Sequence, residues 1–481
     1  MVAQSSPSSR SRFLVVQAVY LIFFIAINAA LFFNAEIRTD SEKGMHPVFW
    51  NASDGQRYWG VAKNLSMNGS FTIGEKEDTP LKRAGPLPAI VFAVPMKLAG
   101  FEASAMWIIA IQCAILFLGS LVGRKMCDPF PVNKDIFQGL LIFNPLLINL
   151  AHHGQSDLLF MALMTVLLSQ VTTIFSFGDK PRIIHYLLLG ITCGLLTLAR
   201  PLGFYLGLAL PFIILIASWW CPAESEVNFK GLFRGLVLAA LIATIVTLPW
   251  AVRNYSVFGS YSVTQSEGIM MEWHYKMLKK RSGSADKPEE KIAVFARYGV
   301  PEDCEETDPR CKSGISRAYF HLIVSSSPYD IGEALVRSWI RLFFAGGFTQ
   351  MNKYLGVDSQ LDVEARDLSS LARNFKSGFV SVTAKVGIFL LLFLIMFGYT
   401  IICRSLGLAG LWALMRRRDT RGLVVMHAMV VLVFLSMYLF SGIARFRAPL
   451  EPTLALFTAA GITLVINWLS KKRASKTSSV L

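Results

Sequence analysis

Four short polar stretches in an otherwise apolar chain carry side chains able to do chemistry. The first, 50–88, holds Asp54 at the start of a short amphipathic segment, Tyr58 four residues on, and a Lys82-Arg83 pair ahead of Gly85-Pro86. The others are His152-His153-Gly154-Gln155-Ser156-Asp157, Ala199-Arg200-Pro201 and Ala444-Arg445-Phe446-Arg447-Ala448-Pro449. Arginine is permanently charged and offers two donors at once to a pair of phosphate oxygens, so it stabilises a departing phosphate. A carboxylate beside it takes the proton of an attacking hydroxyl as general base. Together they suit group transfer from a donor that carries a phosphate. Each residue also has a plainer use. Asp54 favours a helix dipole, Asp157 caps a helix, the arginines snorkel to headgroups, and His152 and His153 bond to carbonyls or water. Only their convergence on one face favours a site.

The elements that must bring them together are membrane helices. The 481 residues are 53% hydrophobic and 16% charged, with a mean hydropathy of +0.48. Soluble domains carry about a quarter of their residues as charges. Here the deficit is met by apolar runs of about 17–25 residues, enough to cross a ~30 Å hydrocarbon core, and the alternating pattern of a membrane barrel is absent. The expectation is an all-α polytopic membrane protein of about ten spans: 13–33, 103–122, 136–150, 158–175, 183–198, 204–220, 232–248, 379–403, 423–440 and 453–469. The apolar run 87–98 is too short to cross and reads as an interfacial or re-entrant helix. A net charge of +15 invites a nucleic-acid partner. Much of it, however, falls in short loops such as Gly123-Arg124-Lys125, Arg416-Arg417-Arg418 and Lys471-Lys472-Arg473, which read as cytoplasmic topology determinants. No nucleic acid is expected. Arg10 and Arg12 then put the N-terminus inside and all four polar stretches outside.

This topology divides the chain into five parts. Residues 1–33 form the cytoplasmic N-terminus and first span, and 34–102 a large first outer loop. Residues 103–250 form the central bundle, 251–377 an extended outer domain, and 378–481 the last spans with a basic tail. The outer domain is far longer than an ordinary connection. Within it, 334–344 has apolar residues interrupted by Arg337 and Arg341, as an interfacial helix would. Cys304 and Cys311 can close a small disulfide there if the loop meets an oxidising compartment. No metal-ligand spacing stands out, and no glycine-rich nucleotide loop follows a strand.

The order of the motifs resembles a known family. DGQRYWGVAKNLSMNGSF followed by RAGPLPAIVFAV is similar to the first outer loop of the GT-C glycosyltransferases, the superfamily of protein O-mannosyltransferases and lipid A aminoarabinose transferases (glycosyltransferase family 39-like). The matching positions are Asp54, Tyr58, Ala62-Lys63-Asn64-Leu65, Arg83 and Gly85-Pro86. ARPLG at 199–203, LPWAVRNYSVFGS at 248–260 and RFRAPLEP at 445–452 resemble later motifs, so the likeness runs along nearly the whole chain. It implies a GT-C-type helical bundle and an inverting transfer of a sugar from a polyprenyl-phosphate donor at the outer face. In that reading Asp54 is the base or the carboxylate that orients the acceptor. Arg200, Arg445 and Arg447 contact the donor phosphate, and Arg83 is a further anion contact. Relatives often carry adjacent acids in the first loop, whereas Gly55 follows Asp54 here. They also often carry Thr-Glu where this chain has Gln155-Ser156-Asp157, so Asp157 can share the acidic role. Tyr58, His152, His153 and Arg253 complete the candidate set.

The implied partners are a polyprenyl-phosphate-linked sugar donor, membrane lipids, and a glycan, lipid or protein acceptor. No cofactor is required with certainty, and a divalent cation stays open. A bacterial inner membrane with the site facing the periplasm is the expected location. A transporter or flippase of lipid-linked intermediates is the alternative from another class; it calls for ionisable residues inside the spans and an internal repeat, and neither is evident. A polysaccharide polymerase or ligase would need an arginine and histidine in the large outer loop, where His274 is the candidate. A structural subunit would have no use for the Asp54 helix.

Overall fold

The computed structural model describes residues 7–33, 53–73, 79–81, 84–176, 182–220, 229–263, 267–285, 288–301, 304, 311–347, 351 and 384–478. Seven helices among them are long and apolar enough to cross a membrane, and three shorter apolar helices join them. The chain is an all-α polytopic integral membrane protein. Its described strands are a ribbon of two residues each, Thr72–Ile73 (β1) and Thr79–Pro80 (β2), paired antiparallel.

The first half builds one end of the site. Helix α1 (Pro7–Phe33) carries a long apolar span, Ser11–Phe33, behind a polar first turn. Helix α2 (Ser53–Asn68) buries Tyr58, Val61 and Ala62 at helical spacing, and its following residue Gly69 takes a left-handed φ of 75° that stops it. Helix α3 (Pro86–Gly123) starts with Pro86 behind an extended Gly85, where a missing N–H is no loss. At Gly100 the backbone turns to φ 81°, ψ 167°, a conformation closed to residues with a Cβ. The short apolar helix expected over 87–98 is therefore the first limb of a kinked pair, Pro86–Phe101 followed by the span Ser104–Cys127.

One expected span is broken. The run 136–150 forms two helices, α4 (Lys134–Ile142) and α5 (Pro145–Ala151). Pro145 has no N–H to continue the ladder and disfavours helical backbone before it. Asn144 completes the break by accepting from the backbone N–H groups of Leu146 and Leu147 at 3.0 and 3.4 Å. Helices α6 (Asp157–Ser176), α7 (Ile183–Ala199) and α8 (Leu202–Trp219) fall where the apolar runs predict. Helix α9 (Phe229–Phe258) continues nine residues beyond Pro249, where 248 was the expected end. Such a proline is tolerated when neighbouring groups satisfy the freed carbonyls.

The long segment expected on the outer side is largely helical over its described residues. It comprises α10 (Glu267–Ser282), α11 (Pro288–Arg297), α12 (Lys312–Val324) and α13 (Pro328–Phe344). A disulfide joins Cys304 to Cys311 beside a small apolar core that includes Tyr275, Ile315 and Tyr319. Helix α14 (Ala384–Arg416) passes straight through 403, the expected end, because no proline interrupts it. It packs closely on the last helix, α16 (Glu451–Ser478). A Cβ on Gly410 would overlap the Phe457 carbonyl, and one on Gly461 the Leu406 carbonyl. Small residues of this kind let membrane helices approach backbone to backbone. Helix α15 (Arg421–Met437) and a 3-10 turn (Ala444–Leu450) precede α16.

A charged group sits in the middle of this packing. Glu451 Oε1 accepts from Arg404 at 2.6 Å and from Arg447 Nε at 2.5 Å, and its Oε2 accepts from Asn144 at 3.0 Å. Arg447 Nη1 also donates to the carbonyls of Leu342, Phe343 and Ala345 at 2.7, 2.7 and 3.0 Å. The group ties together the α4–α5 break, the end of α13, α14 and the start of α16. Replacing one partner of such a buried set costs about 3–5 kcal/mol, because a charge is left uncompensated. Glu451→Gln is expected to lower the thermal midpoint of the detergent-purified protein by several degrees. An unchanged midpoint would show that the group contributes no stability.

Candidate active site

Asp54 occupies the first turn of α2. The 3-10 turn brings Arg445 to it from the far end of the chain, and Arg445 Nη2 donates to Asp54 Oδ2 at 2.7 Å. Arg57, one turn along α2, lies 3.8 Å from the other carboxylate oxygen. A second pair forms beside the first. Arg200 leaves the end of α7 in extended backbone (φ −149°, ψ 140°) and donates to Asp157 at the head of α6. Both pairs contact the ring of Phe446, with the Arg200 and Arg445 guanidinium carbons 5.7 and 5.1 Å from its centroid. Tyr438 stacks on the same ring at 4.3 Å and 10°. Tyr58 lies beside Ser156, which brings α2 next to the 152–157 turn.

The electrostatics follow from this packing. Burial alone would raise the Asp54 carboxyl, but Arg445, Arg200 and Arg57 outweigh it and hold the group below the usual carboxylate range. Asp54 is therefore ionised at neutral pH. Burial disfavours the charge on Arg200, yet Asp157 more than restores it and pushes its pKa up. Burial raises Tyr58, and it pushes Tyr438 up to about 12, so both phenols keep their protons. His152 falls to about 4 through burial and the neighbouring His153, and His153 is lowered mainly by burial. Both imidazoles are neutral at pH 7.

The structure thus gathers Asp54, Tyr58, His153, Asp157, Arg200 and Arg445. His153 Nδ1 is bonded to the Asn149 carbonyl at 2.6 Å, while His152 turns to Asn28 of α1 at 3.0 Å. Arg447 points the other way, into the Glu451 group, and every hydrogen bond it makes there is structural. Arg253 lies over Trp250 and donates to the carbonyls of Phe71 and Leu81, clamping the ribbon of the first loop onto α9. Arg83 lies outside the described residues. Tyr438 and Phe446 are the site residues that sequence reasoning missed. Both read as ordinary apolar side chains, and only the repeated aromatic–arginine pattern Arg445-Phe446-Arg447 hinted at one of them. Among the described residues no three His, Cys, Asp or Glu side chains gather to hold a metal ion. The two carboxylates here are each turned to an arginine, which does not make a cation site.

No protein-family model and no curated protein matches the sequence. Solved structures do match in fold. The archaeal oligosaccharyltransferase AglB from Archaeoglobus fulgidus, in complex with an inhibitory peptide and a dolichol-phosphate, superposes with a TM-score of 0.53 at 13% identity, over 98% of this chain and 52% of that one. An Archaeoglobus fulgidus oligosaccharyltransferase in the apo form superposes with a TM-score of 0.53 at 14% identity, over 98% of this chain and 53% of that one. ArnT from Cupriavidus metallidurans bound to undecaprenyl phosphate matches with a TM-score of 0.38 at 15% identity, over 92% and 78%, too loosely to bear on the fold. The AglB likeness shows that this chain shares the helical membrane fold of that oligosaccharyltransferase. This chain spans about half the length of AglB.

The buried histidines set a pH dependence. His152 and His274 both titrate near 4 in the fold and near 6.5 when free. The unfolded chain therefore binds more protons between these values, so stability is complete above about pH 6.5 and falls toward pH 4. The thermal midpoint should drop as pH is lowered through this window, and His152→Asn should flatten the slope. An equal slope in the variant would remove His152 from the account.

Proposed function

We propose that the chain is an integral membrane glycosyltransferase that moves a sugar from a polyprenyl-phosphate donor to an acceptor hydroxyl. The observation that carries this reading is the meeting of two carboxylate–guanidinium pairs, Asp54–Arg445 and Asp157–Arg200, at one shared aromatic ring. The GT-C-type fold supports it, and so does the AglB structure, which was solved with dolichol-phosphate. Arriving donor phosphate competes with the carboxylates for Arg445 and Arg200. As Arg445 turns to the phosphate, Asp54 loses the partner that depresses its pKa and becomes a stronger base. Asp54 then takes the acceptor proton, and the acceptor oxygen attacks the anomeric carbon. The bond from that carbon to the phosphate oxygen breaks with inversion, and polyprenyl phosphate leaves with its new charge on the two arginines. Asp157 keeps Arg200 charged and aimed, and its carboxylate is the second acid of the site. Arg83 is a further proposed anion contact, while Arg447 acts by holding the turn that presents Arg445.

The site faces the outside of a bacterial inner membrane in this proposal, and the basic loops face the cytoplasm. The acceptor is a lipid, glycan or protein hydroxyl. The test is transfer in membranes from a radiolabelled panel of polyprenyl-phosphate sugars, wild type against Asp54→Asn. General-base catalysis contributes about 10²–10⁴-fold, so the variant should lose at least 100-fold in kcat at unchanged expression. Arg445→Ala should instead raise KM for the donor as well as lowering kcat. Full transfer by Asp54→Asn would remove Asp54 as the base.

A further inference from the structure

The charged groups of the site are already paired with each other, which leaves open what meets its neutral ones. Gln155 is 1% exposed, and neither its amide oxygen nor its amide nitrogen has a hydrogen-bond partner among the described residues. Tyr438 is 2% exposed, and its hydroxyl likewise has none. Both side chains are held in place. Gln155 lies in the turn between His153 and Ser156-Asp157, and its own N–H donates to the His153 carbonyl at 2.6 Å. That carbonyl is also bonded by Gln112 at 2.8 Å. The ring of Tyr438 is stacked on Phe446, the ring that both site arginines contact. A buried polar atom without a partner costs about 1–3 kcal/mol, and native folds keep such atoms where a ligand or an ordered water completes them.

We propose that Gln155 and Tyr438 read the hydroxyls of the transferred sugar, as specificity-determining residues of the glycosyl-transfer site on which this inference rests. The chemistry matches. A primary amide presents one acceptor and two donors, and adjacent hydroxyls of a sugar present the complementary set. The Tyr438 phenol adds a further donor on the arginine side of the site. Neutral groups suit this task because arginines bind the phosphate whichever sugar it carries. A site built to bond a particular hydroxyl rejects the analogue that lacks it, because its own polar atoms are then left unmet.

The experiment compares wild type, Gln155→Leu and Tyr438→Phe with undecaprenyl-phosphate-linked glucose, mannose and galactose. It then uses the singly deoxygenated forms of whichever sugar is transferred. Wild type should prefer the full sugar to one deoxy form by at least tenfold in kcat/KM. One or both variants should lose at least tenfold on the full sugar and bring that preference close to one. Their thermal midpoints should hold or rise, since each substitution removes an unmet buried polar group. Transfer within twofold of wild type with the preference intact would overturn the proposal, and would mean that water completes these atoms. A fall in midpoint with the preference intact would also overturn it, in favour of a structural role. If folded wild type transfers none of the three sugars while a wider donor panel succeeds, the preference is measured on the successful sugar. If no donor is used at all, the glycosyl-transfer reading fails and takes this proposal with it.

Discussion

Burial of the Arg447 side chain is the constraint on which the site depends. A guanidinium in the bundle interior is tolerated only with a counter-charge and with its donors met, and Glu451 and the three carbonyls at the end of α13 supply both. Those bonds fix the 3-10 turn from Ala444 to Leu450 against α13 and α16. With Arg447 held inward, Arg445 two residues earlier is presented to Asp54, and Phe446 between them offers its ring to Arg200. One buried ion group therefore sets the position of two site residues almost 400 residues away from Asp54 in sequence, as the separation of 391 between Asp54 and Arg445 shows.

Helices α10 and α13 reinforce the same turn. Arg281 of α10 donates to the Gly442 carbonyl at 3.0 Å, and Gly442 N–H donates to Ser338 of α13 at 2.6 Å. His274 meets Ser441 at 3.3 Å and packs its ring near Phe440. The segment from Tyr438 to Arg447 is thus held on both sides before any substrate arrives. Such preorganisation matters because charge that develops in a transition state is stabilised best by dipoles and cations that need not move. The two carboxylates hold the arginines oriented in the meantime. In the proposed transfer, donor phosphate would exchange one anion for another, with no bare charge left in a poorly solvated place.

Much of this could be read in the residues before any coordinates. Apolar run lengths predict the membrane helices, and charge asymmetry predicts which loops lie together. Asp54, Asp157, Arg200 and Arg445 stand out because charged side chains at the ends of apolar runs are costly without a purpose. The AglB-like fold agrees with the order of the motifs. The break at Asn144-Pro145 was also legible, in retrospect, because proline and the residue before it have few backbone options.

The amino-acid sequence by itself determined the class of protein, the helices and the set of charged groups, because hydropathy, proline and glycine act locally. Tertiary structure alone decided partnership. Arg445 and Arg447 are identical in type and two residues apart, yet one meets Asp54 and the other Glu451. Nothing local distinguishes them, since a 3-10 turn sends neighbouring side chains in different directions and only packing says what lies in each. Tyr438 was hidden for the same reason, and Gln155, though visible in the 152–157 turn, was not marked out there by any charge. A neutral polar side chain has no signature in sequence, and its lack of a partner exists only once every other group has found one.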